Sequence, residues 1–334
     1  MFADNGMCRL QAKLSGVDRL LPVTVLVLTH NEELNVTDCL RSVGWAAEVF
    51  VVDCGSEDRT VEIARALGAK VFSHPFEGYA KQRNWALENL PFSNEWVLML
   101  DADERVPSAL ADEISRVVGT SDGTRAGYYI KFRFFFLGRW LKHGGLYPTW
   151  LLRLFKRHCV RIEERPMNEH AILDGEAGYL QNPFDHCDNR LLSRWIAKHD
   201  HYADLEADEY LRERFGRGYR DSIPARFWGT QAERKRWIKL RVWNRLPLLV
   251  RPWLFFFRNY FLKGGFLDGP QGFAYHVLWS FWVRFLIDVK ILERQRRQDS
   301  VCHGAGRPAS EAQQFPGSLL RELDEQNIHG HADR

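Results

Sequence analysis

Asp101 and Asp103 stand two residues apart, directly after the apolar run EWVLML (95–100), with Glu104 next in line. Packing alone does not call for a group of carboxylates at the end of such a run, so the spacing invites a chemical reading. Hard oxygen ligands of this kind suit Mg2+ or Mn2+, cations that keep positions open for the phosphates of a nucleotide. A second polar cluster, Asp53-Cys54-Gly55-Ser56, ends the run EVFVVD (48–53), and a third, Thr29-His30-Asn31-Glu32-Glu33, ends VTVLVLT (23–29). An acidic pair also has a plainer reading as a cap on the helix that Pro107 announces.

The elements that must carry these clusters are legible as a repeating pattern. VTVLVLT is followed by HNEELNVTDCLRSV with apolar residues at helical spacing; EVFVVD is followed by a polar turn and the helix TVEIARALG; AKVFS (69–73) by the helix KQRNWALENL; and then comes EWVLML. Strands alternating with helices predict an α/β domain with a mostly parallel sheet covered on both faces. In such sheets ligands bind beyond the carboxyl ends of the strands, which brings all three clusters to one crevice. After Asp101 the segments GYYIKFRFFFLG and TWLLRLFKR predict further strands of a mixed sheet, joined through the glycine-rich HGGLYP, and residues 189–214 predict a long charged helix.

The chain has 334 residues, 45% hydrophobic and 27% charged, a composition that excludes wholesale disorder. Its six cysteines show no CxxC pair and no metal-ligand spacing, and the N-terminus lacks the apolar core of a secretory signal. A cytoplasmic home is expected. The net charge of +3 conceals an asymmetry, because residues 226–299 carry 15 Lys and Arg against five Asp and Glu. A basic C-terminal half fits an anionic partner, either lipid headgroups or nucleic acid.

From about residue 226 the chain becomes basic and aromatic, with Gly264, Gly265, Gly269, Pro270 and Gly272 separating two apolar helical stretches. In the second, His276, Ser280, Arg284 and Asp288 recur every four residues and form one polar stripe on a helix otherwise apolar all round. The stretch is shorter than the ~20 apolar residues of a membrane span. An i,i+4 ion pair between Arg284 and Asp288 and an interfacial or re-entrant placement are expected. The expected organisation is a flexible N-terminus (1–21), a catalytic α/β domain (22–225), a helical membrane-docking region (226–298) and a disordered tail (299–334).

LTHNEE, VVDCGSEDRT, the helix start Lys81-Gln82-Arg83-Asn84 and LDADE together resemble family-2 glycosyltransferases of the GT-A fold. The later pieces YP…RLFKR, RPMNEH, DHCDNR and GGFLDGPQGF resemble its bacterial branch of lipopolysaccharide-core and surface-polysaccharide transferases, and the similarity spans roughly residues 22–295. The resemblance implies an inverting, metal-dependent transfer from a nucleotide-sugar donor, by family a UDP-glucose, to a saccharide or glycolipid acceptor at the cytoplasmic face of the inner membrane. It implies that Asp53 contacts the nucleotide base, with Thr29, Asn31 and Glu32 lining the pocket and Lys81 and Arg83 near the diphosphate. Asp103 would ligate the metal, Asp101 the ribose or the metal, and His186 would add a further ligand. Glu169 would be the catalytic base, although the branch usually has His-Glu where this chain has Asn168-Glu169-His170.

Each of these residues also has a structural reading. Glu32 and Glu33 favour a helix N-terminus electrostatically, Ser56 and Asp58 suit a turn and a cap, Lys81 and Arg83 suit a solvated helix, and His186 suits a satisfied core position. Two other functions compete. A nucleotidyltransferase would share the sheet and metal but should have a first loop rich in glycine and arginine, which LTHNEE is not. A nucleic-acid-binding module would use the basic half but not an acidic crevice that repels phosphate, so no nucleic-acid partner is expected. A dinucleotide-dependent dehydrogenase fails for want of GxGxxG.

Overall fold

A computed structural model describes residues 20–120, 124–163, 170–214, 224–229 and 231–304. The predicted alternation is present. Strands β1 (Leu21–Thr29), β2 (Ala46–Asp53), β3 (Lys70–Ser73) and β4 (Trp96–Asp101) are joined by helices α1 (Val36–Ser42), α2 (Thr60–Ala66) and α3 (Tyr79–Asn89). β3, β2, β1 and β4 lie side by side and parallel.

The sheet continues as a mixed sheet, through β5 (Glu104–Arg105), β6 (Arg125–Phe136), β7 (Arg139–Leu141), β8 (Trp150–Lys156) and β11 (Glu176–Cys187). Its order is β3-β2-β1-β4-β8-β6-β11-β5, with β7 paired to β6. β8 runs antiparallel to both β4 and β6, β11 runs parallel to β6, and β5 returns antiparallel on β11. β9 (Val160–Ile162) and β10 (Ala171–Leu173) form a separate antiparallel pair.

Period-2 alternation along β1 explains the double-sided core. Val23, Val25 and Val27 enter one cluster with residues of α1, α2 and helix α4 (Ser108–Gly119). Leu26 enters the other, with Ala80, Ala86 and Leu87 of α3. α4 begins directly after Pro107, whose fixed φ and missing N–H suit a helix start.

The C-terminal region is helical. After α5 (Leu192–Arg214) come α6 (Gln231–Arg241), α7 (Arg251–Phe257) extended by a π-helical turn over Arg258–Leu262, and α8 (Gly269–Tyr275), which passes through π-helical His276–Val283 into α9 (Arg284–Gly304). Ala203, Ala207 and Leu211 of α5 pack on Val283, Ile287 and Ile291, while Tyr275 packs on Phe136 and Leu141 of the sheet. The described residues up to Ile291 belong to one compact unit, and Leu292–Arg334 is divided from it as a second. Helix continues to Gly304, past position 299 where the sequence pattern ends; the rest of that tail, and nearly all of the 1–21 segment, lie outside the described residues.

One expected contact is corrected. Arg284 and Asp288 do not pair with each other: Arg284 Nη1 bonds Glu206 Oε2 of α5 at 2.9 Å, and Asp288 Oδ1 accepts from Arg251 Nε at 2.7 Å. The cause is burial. His276, Ser280 and Asp288 turn into the protein, so the stripe takes its partners from neighbouring elements and not from its own helix.

Candidate active site

Parallel register brings the first two polar clusters together, since Thr29 pairs with Asp53 and Leu28 with Asp101. The carboxylate of Asp53 closes the turn that follows it. Its Oδ1 accepts from Thr29 Oγ1 at 2.9 Å and Ser56 Oγ at 2.5 Å, and its Oδ2 accepts from the backbone N–H groups of Gly55 and Ser56 at 3.0 and 2.8 Å. Gly55 has φ +87°, a value that costs glycine little. The first loop is sewn to the second: Asn31 N donates to Ser56 Oγ (2.8 Å), Glu57 N to Asn31 Oδ1 (2.9 Å), Glu32 N to Thr60 Oγ1 (2.7 Å) and Glu33 N to Asp58 Oδ2 (3.1 Å). Asn31 itself sits at φ +54°, a left-handed position that asparagine tolerates better than most residues. Ser56 and Asp58 therefore serve as the turn residues of their structural reading.

At the end of β4, Asp101 is held by two arginines. Arg83 Nη2 of α3 donates to Oδ1 and Arg153 Nη2 of β8 to Oδ2, both at 2.9 Å, while Arg153 also reaches Glu104 Oε1 at 2.5 Å. Burial opposes ionisation of Asp101, but the Arg153 and Arg83 guanidiniums overcome it and hold the carboxyl far below the usual range. Glu104 shares Arg153 with Asp101, and burial, reinforced by the Asp101 and Asp103 charges, pushes its carboxyl up to about 7.

Asp103 faces a different group. Its Oδ2 lies 3.6 Å from His186 Nε2 and 3.5 Å from Arg190 Nη2, and its buried Oδ1 has no hydrogen-bond partner among the described residues. β5 pairing with β11 brings this about, because His186 stands opposite Glu104 and Cys187 N donates to Asp103 O at 2.8 Å. Arg190 also binds Glu32 Oε1 through Nη1 at 2.6 Å and Asp188 Oδ2 through Nη2 at 2.7 Å. Burial, aided by Asp103 and Asp188, pushes Glu32 up to about 7 against the pull of Arg190.

An orphaned, buried carboxylate oxygen beside an imidazole fits a divalent cation. Among the described residues no group of three or more His, Cys, Asp and Glu side chains could form a cage for one. Mg2+ or Mn2+ would thus take Asp103 and His186 from the protein and its remaining ligands from phosphate and water, the usual sharing for these ions.

The structure brings together Thr29, Asn31, Glu32, Asp53, Arg83, Asp101, Asp103 and His186. Lys81 does not join them: it is exposed on α3 and pairs with Glu77 at 3.5 Å. Glu169 lies outside the described residues; the strands flanking its segment are clamped, with Glu163 N donating to His170 O at 2.9 Å. Two residues of the site, Arg153 and Arg190, were not singled out from sequence. Arg153 carried a signal, since an arginine inside the apolar run TWLLRLF must be buried with a partner. Arg190 carried a weaker one, four residues beyond His186.

A model of the family "Glycosyl transferase family 2" matches residues 24–194. The lipopolysaccharide core biosynthesis glycosyltransferase LpsC of Rhizobium meliloti is 25% identical over 281 residues, covering 82% of this chain and 93% of that protein. An uncharacterized glycosyltransferase of Rickettsia conorii, RC0292, is 24% identical over 297 residues, covering 84% and 93%. Among solved structures, glucosyl-3-phosphoglycerate synthase from Mycobacterium tuberculosis, in complex with Mn2+, uridine diphosphate and glucosyl-3-phosphoglycerate, aligns over 66% of this chain and 88% of its own at 19% identity and a TM-score of 0.38. With three strand ends converging on an acidic crevice in a mixed, largely parallel sheet, and a family match over half its length, the chain belongs to glycosyl transferase family 2.

Proposed function

We propose that the protein transfers a sugar, with inversion, from a nucleoside diphosphate sugar to a lipopolysaccharide-core or other lipid-linked saccharide, with UDP-glucose the donor suggested by family. The observation that carries this reading is the orphaned Asp103 Oδ1 at the strand end where Asp53, Asp101 and His186 gather. Asp53 and the stitched first and second loops form a rigid wall for the base and ribose. Arg190, and Arg83 behind Asp101, supply fixed positive charge on the diphosphate side. A bound Mg2+ or Mn2+ would neutralise charge on the leaving nucleoside diphosphate. Glu169 is assigned the acceptor's proton, which leaves the hydroxyl as it attacks the anomeric carbon from the face opposite the leaving group. The bond to the diphosphate breaks as the new glycosidic bond forms.

The acceptor's membrane origin rests on the C-terminal helices. Inward they bury Arg251, Asn259, Asp268, His276, Ser280 and Asp288 beside the apolar Tyr275, Val283, Ile287 and Ile291, and outward they expose large apolar side chains. Trp253 is 59% exposed, Leu262 72% and Leu267 56%, with Phe257, Phe261, Phe266 and Phe273 about half exposed beside them. No helix among the described residues is long and apolar enough to cross a membrane. An aromatic, apolar face on a basic region suits peripheral binding at an anionic lipid surface.

The decisive experiment screens the purified protein against UDP-, GDP- and dTDP-sugars, with and without Mn2+, alongside Asp103→Ala. Transfer that requires both the metal and Asp103 is expected. Full activity in excess chelator would remove the metal from the reading, and nucleotide transfer in place of sugar transfer would replace the reading altogether. Flotation with anionic vesicles tests the docking face separately, with binding weakened but not abolished by salt as the expected result.

A further inference from the structure

The turn after α7 carries a group of cations that the catalytic reading does not use. The loop following β7 docks on this turn: Gly144 N donates to Lys263 O at 3.0 Å, His143 N donates to Asp268 Oδ2 at 2.8 Å, and His143 Nδ1 lies 2.7 Å from Asp268 Oδ1. Gly145 has φ +83°, which side-chain-bearing residues rarely adopt, and the Lys263 side chain passes it, with Nζ 2.5 Å from where a Cβ would stand. The Lys263 side chain thus lies beside the loop backbone. Lys263 N bonds Arg258 O at 2.9 Å, so both side chains belong to one turn, and Lys235 of α6 is close enough to act on Lys263 electrostatically.

Lys263, Lys235 and Arg258 stand without a counterion among the described residues. Among the described residues none of them has a carboxylate partner, and Arg258 makes its bond to the neutral Asn259 Oδ1 at 3.2 Å. Asp268, the acid nearest in sequence to Lys263, is committed to His143. Partial burial, followed by the Arg258 and Lys235 charges, pushes the Lys263 ammonium below the ordinary lysine range, and partial burial does the same to Lys235. Grouping like charges without an acid costs free energy that a bound anion would recover. The surroundings say where that anion lies. Phe261, Leu262, Phe266 and Leu267, all exposed, bracket Lys263 in the chain, and Arg258 and Lys263 are exposed with them, so these two cations rim the apolar face. That is the depth of the phosphate layer when an apolar face sits at the acyl boundary.

We propose that Lys263, Lys235 and Arg258 form a binding site for the phosphate group of a membrane lipid, an inference that rests on the membrane-docking part of the proposed function. Ammonium and guanidinium donors around a compact anion give charge-assisted hydrogen bonds that a bulk surface potential does not.

Calorimetry on the full chain tests this with three probes: dihexanoyl phosphatidic acid as monomers, dihexanoyl phosphatidylcholine and inorganic phosphate. Phosphatidic acid is expected to bind more tightly than either of the others. Lys263→Ala and Lys235→Ala, both at exposed positions, should each weaken it by about tenfold, the loss of one charged contact, while leaving nucleoside diphosphate affinity unchanged. Equal binding of the two lipids, or insensitivity to both substitutions, overturns the site. Inorganic phosphate bound as tightly as phosphatidic acid overturns its assignment to a lipid. The two readings fail separately. A wild type that prefers phosphatidic acid yet does not float with anionic vesicles loses the docking face and keeps the site, and one that floats without that preference loses the site alone.

Discussion

Arg190 spans Glu32 and Asp103, bonding Glu32 Oε1 at 2.6 Å through one guanidinium nitrogen and approaching Asp103 Oδ2 at 3.5 Å through another. The first loop of the sheet and the acidic end of β4 are therefore joined by a cation from the segment after β11. A planar fork with a fixed charge can hold this geometry while presenting the same charge to a diphosphate; a lysine cannot do both.

Arg190→Ala should accordingly weaken nucleoside diphosphate binding by about tenfold or more, as expected for one lost charged hydrogen bond. Arg190→Lys should recover part of this. Calorimetric titration with UDP in the presence of Mn2+ measures both, and unchanged affinity in the alanine variant would leave Arg190 with a purely structural role.

Arg153 is a different case, since it is buried and shared by Asp101 and Glu104. Arg153→Met is expected to cost about 3–5 kcal/mol of stability, because removing one partner leaves buried carboxylates uncompensated. Adding Glu104→Gln should return part of that loss by removing one of them. Urea unfolding of the two variants provides the comparison, and a loss below about 1 kcal/mol for the single variant would contradict the central place given to Arg153.

Much of this arrangement was legible in the chain because local rules governed it. Thr29, Asp53 and Asp101 end continuous apolar runs in a βαβ pattern, so their common edge followed from strand direction alone. Arg153 and Arg190 were less accessible because their partners, Asp101, Glu104, Glu32 and Asp103, come from distant strands and loops. The β4–β8 and β5–β11 pairings, with the bonds from Asn35 to Asp188 and from Asn189 N to Asn35, bring them close. The Arg284–Asp288 pair failed for the same reason in reverse. Helical spacing made them neighbours, but each found a better partner across a packed interface, in Glu206 and Arg251. Lys81 and Arg83 lie two residues apart on one helix and part ways, one to the surface and one to Asp101, because residues at that spacing face different directions.

His276 provides a pH-dependent test of the C-terminal layer. It is buried, with Nδ1 2.9 Å from Ser280 Oγ and Nε2 without a partner among the described residues, and burial pushes its pKa down to about 4. The unfolded chain, with an ordinary histidine near 6.5, binds more protons between those two values, so stability falls as pH drops from about 6.5 towards 4. The full contribution of such a shift is about 3 kcal/mol. Glu32 and Glu104, both raised to about 7, act with the opposite sign: there the folded state holds the extra proton, and stability falls as pH rises from about 4.5 to 7. The wild-type curve contains these effects together with that of His199, which burial also pushes down to about 4, so the test is the difference between wild type and His276→Gln. That difference should change by up to about 3 kcal/mol between pH 7 and pH 4 in urea titrations. A difference that stays constant with pH would mean that His276 is not held neutral by the fold.

The last prediction concerns Glu169, assigned the acceptor's proton from the resemblance of RPMNEH to the family. A general base must come within about 2.6–3.2 Å of the hydroxyl in a productive complex and must be ionised when it does so. Glu169→Gln is nearly isosteric but cannot accept the proton. Donor affinity and melting temperature should therefore stay near wild type, while turnover falls by the ~10²–10⁴-fold typical of losing a general base. The alternative is that Glu169 pairs with an arginine and merely holds its loop. Under that alternative the amide would lower the melting temperature or weaken binding and leave turnover largely intact. Measuring all three quantities on one preparation separates these outcomes, and near-normal turnover would remove Glu169 from the mechanism and reopen the search for the base among the other carboxylates of the crevice.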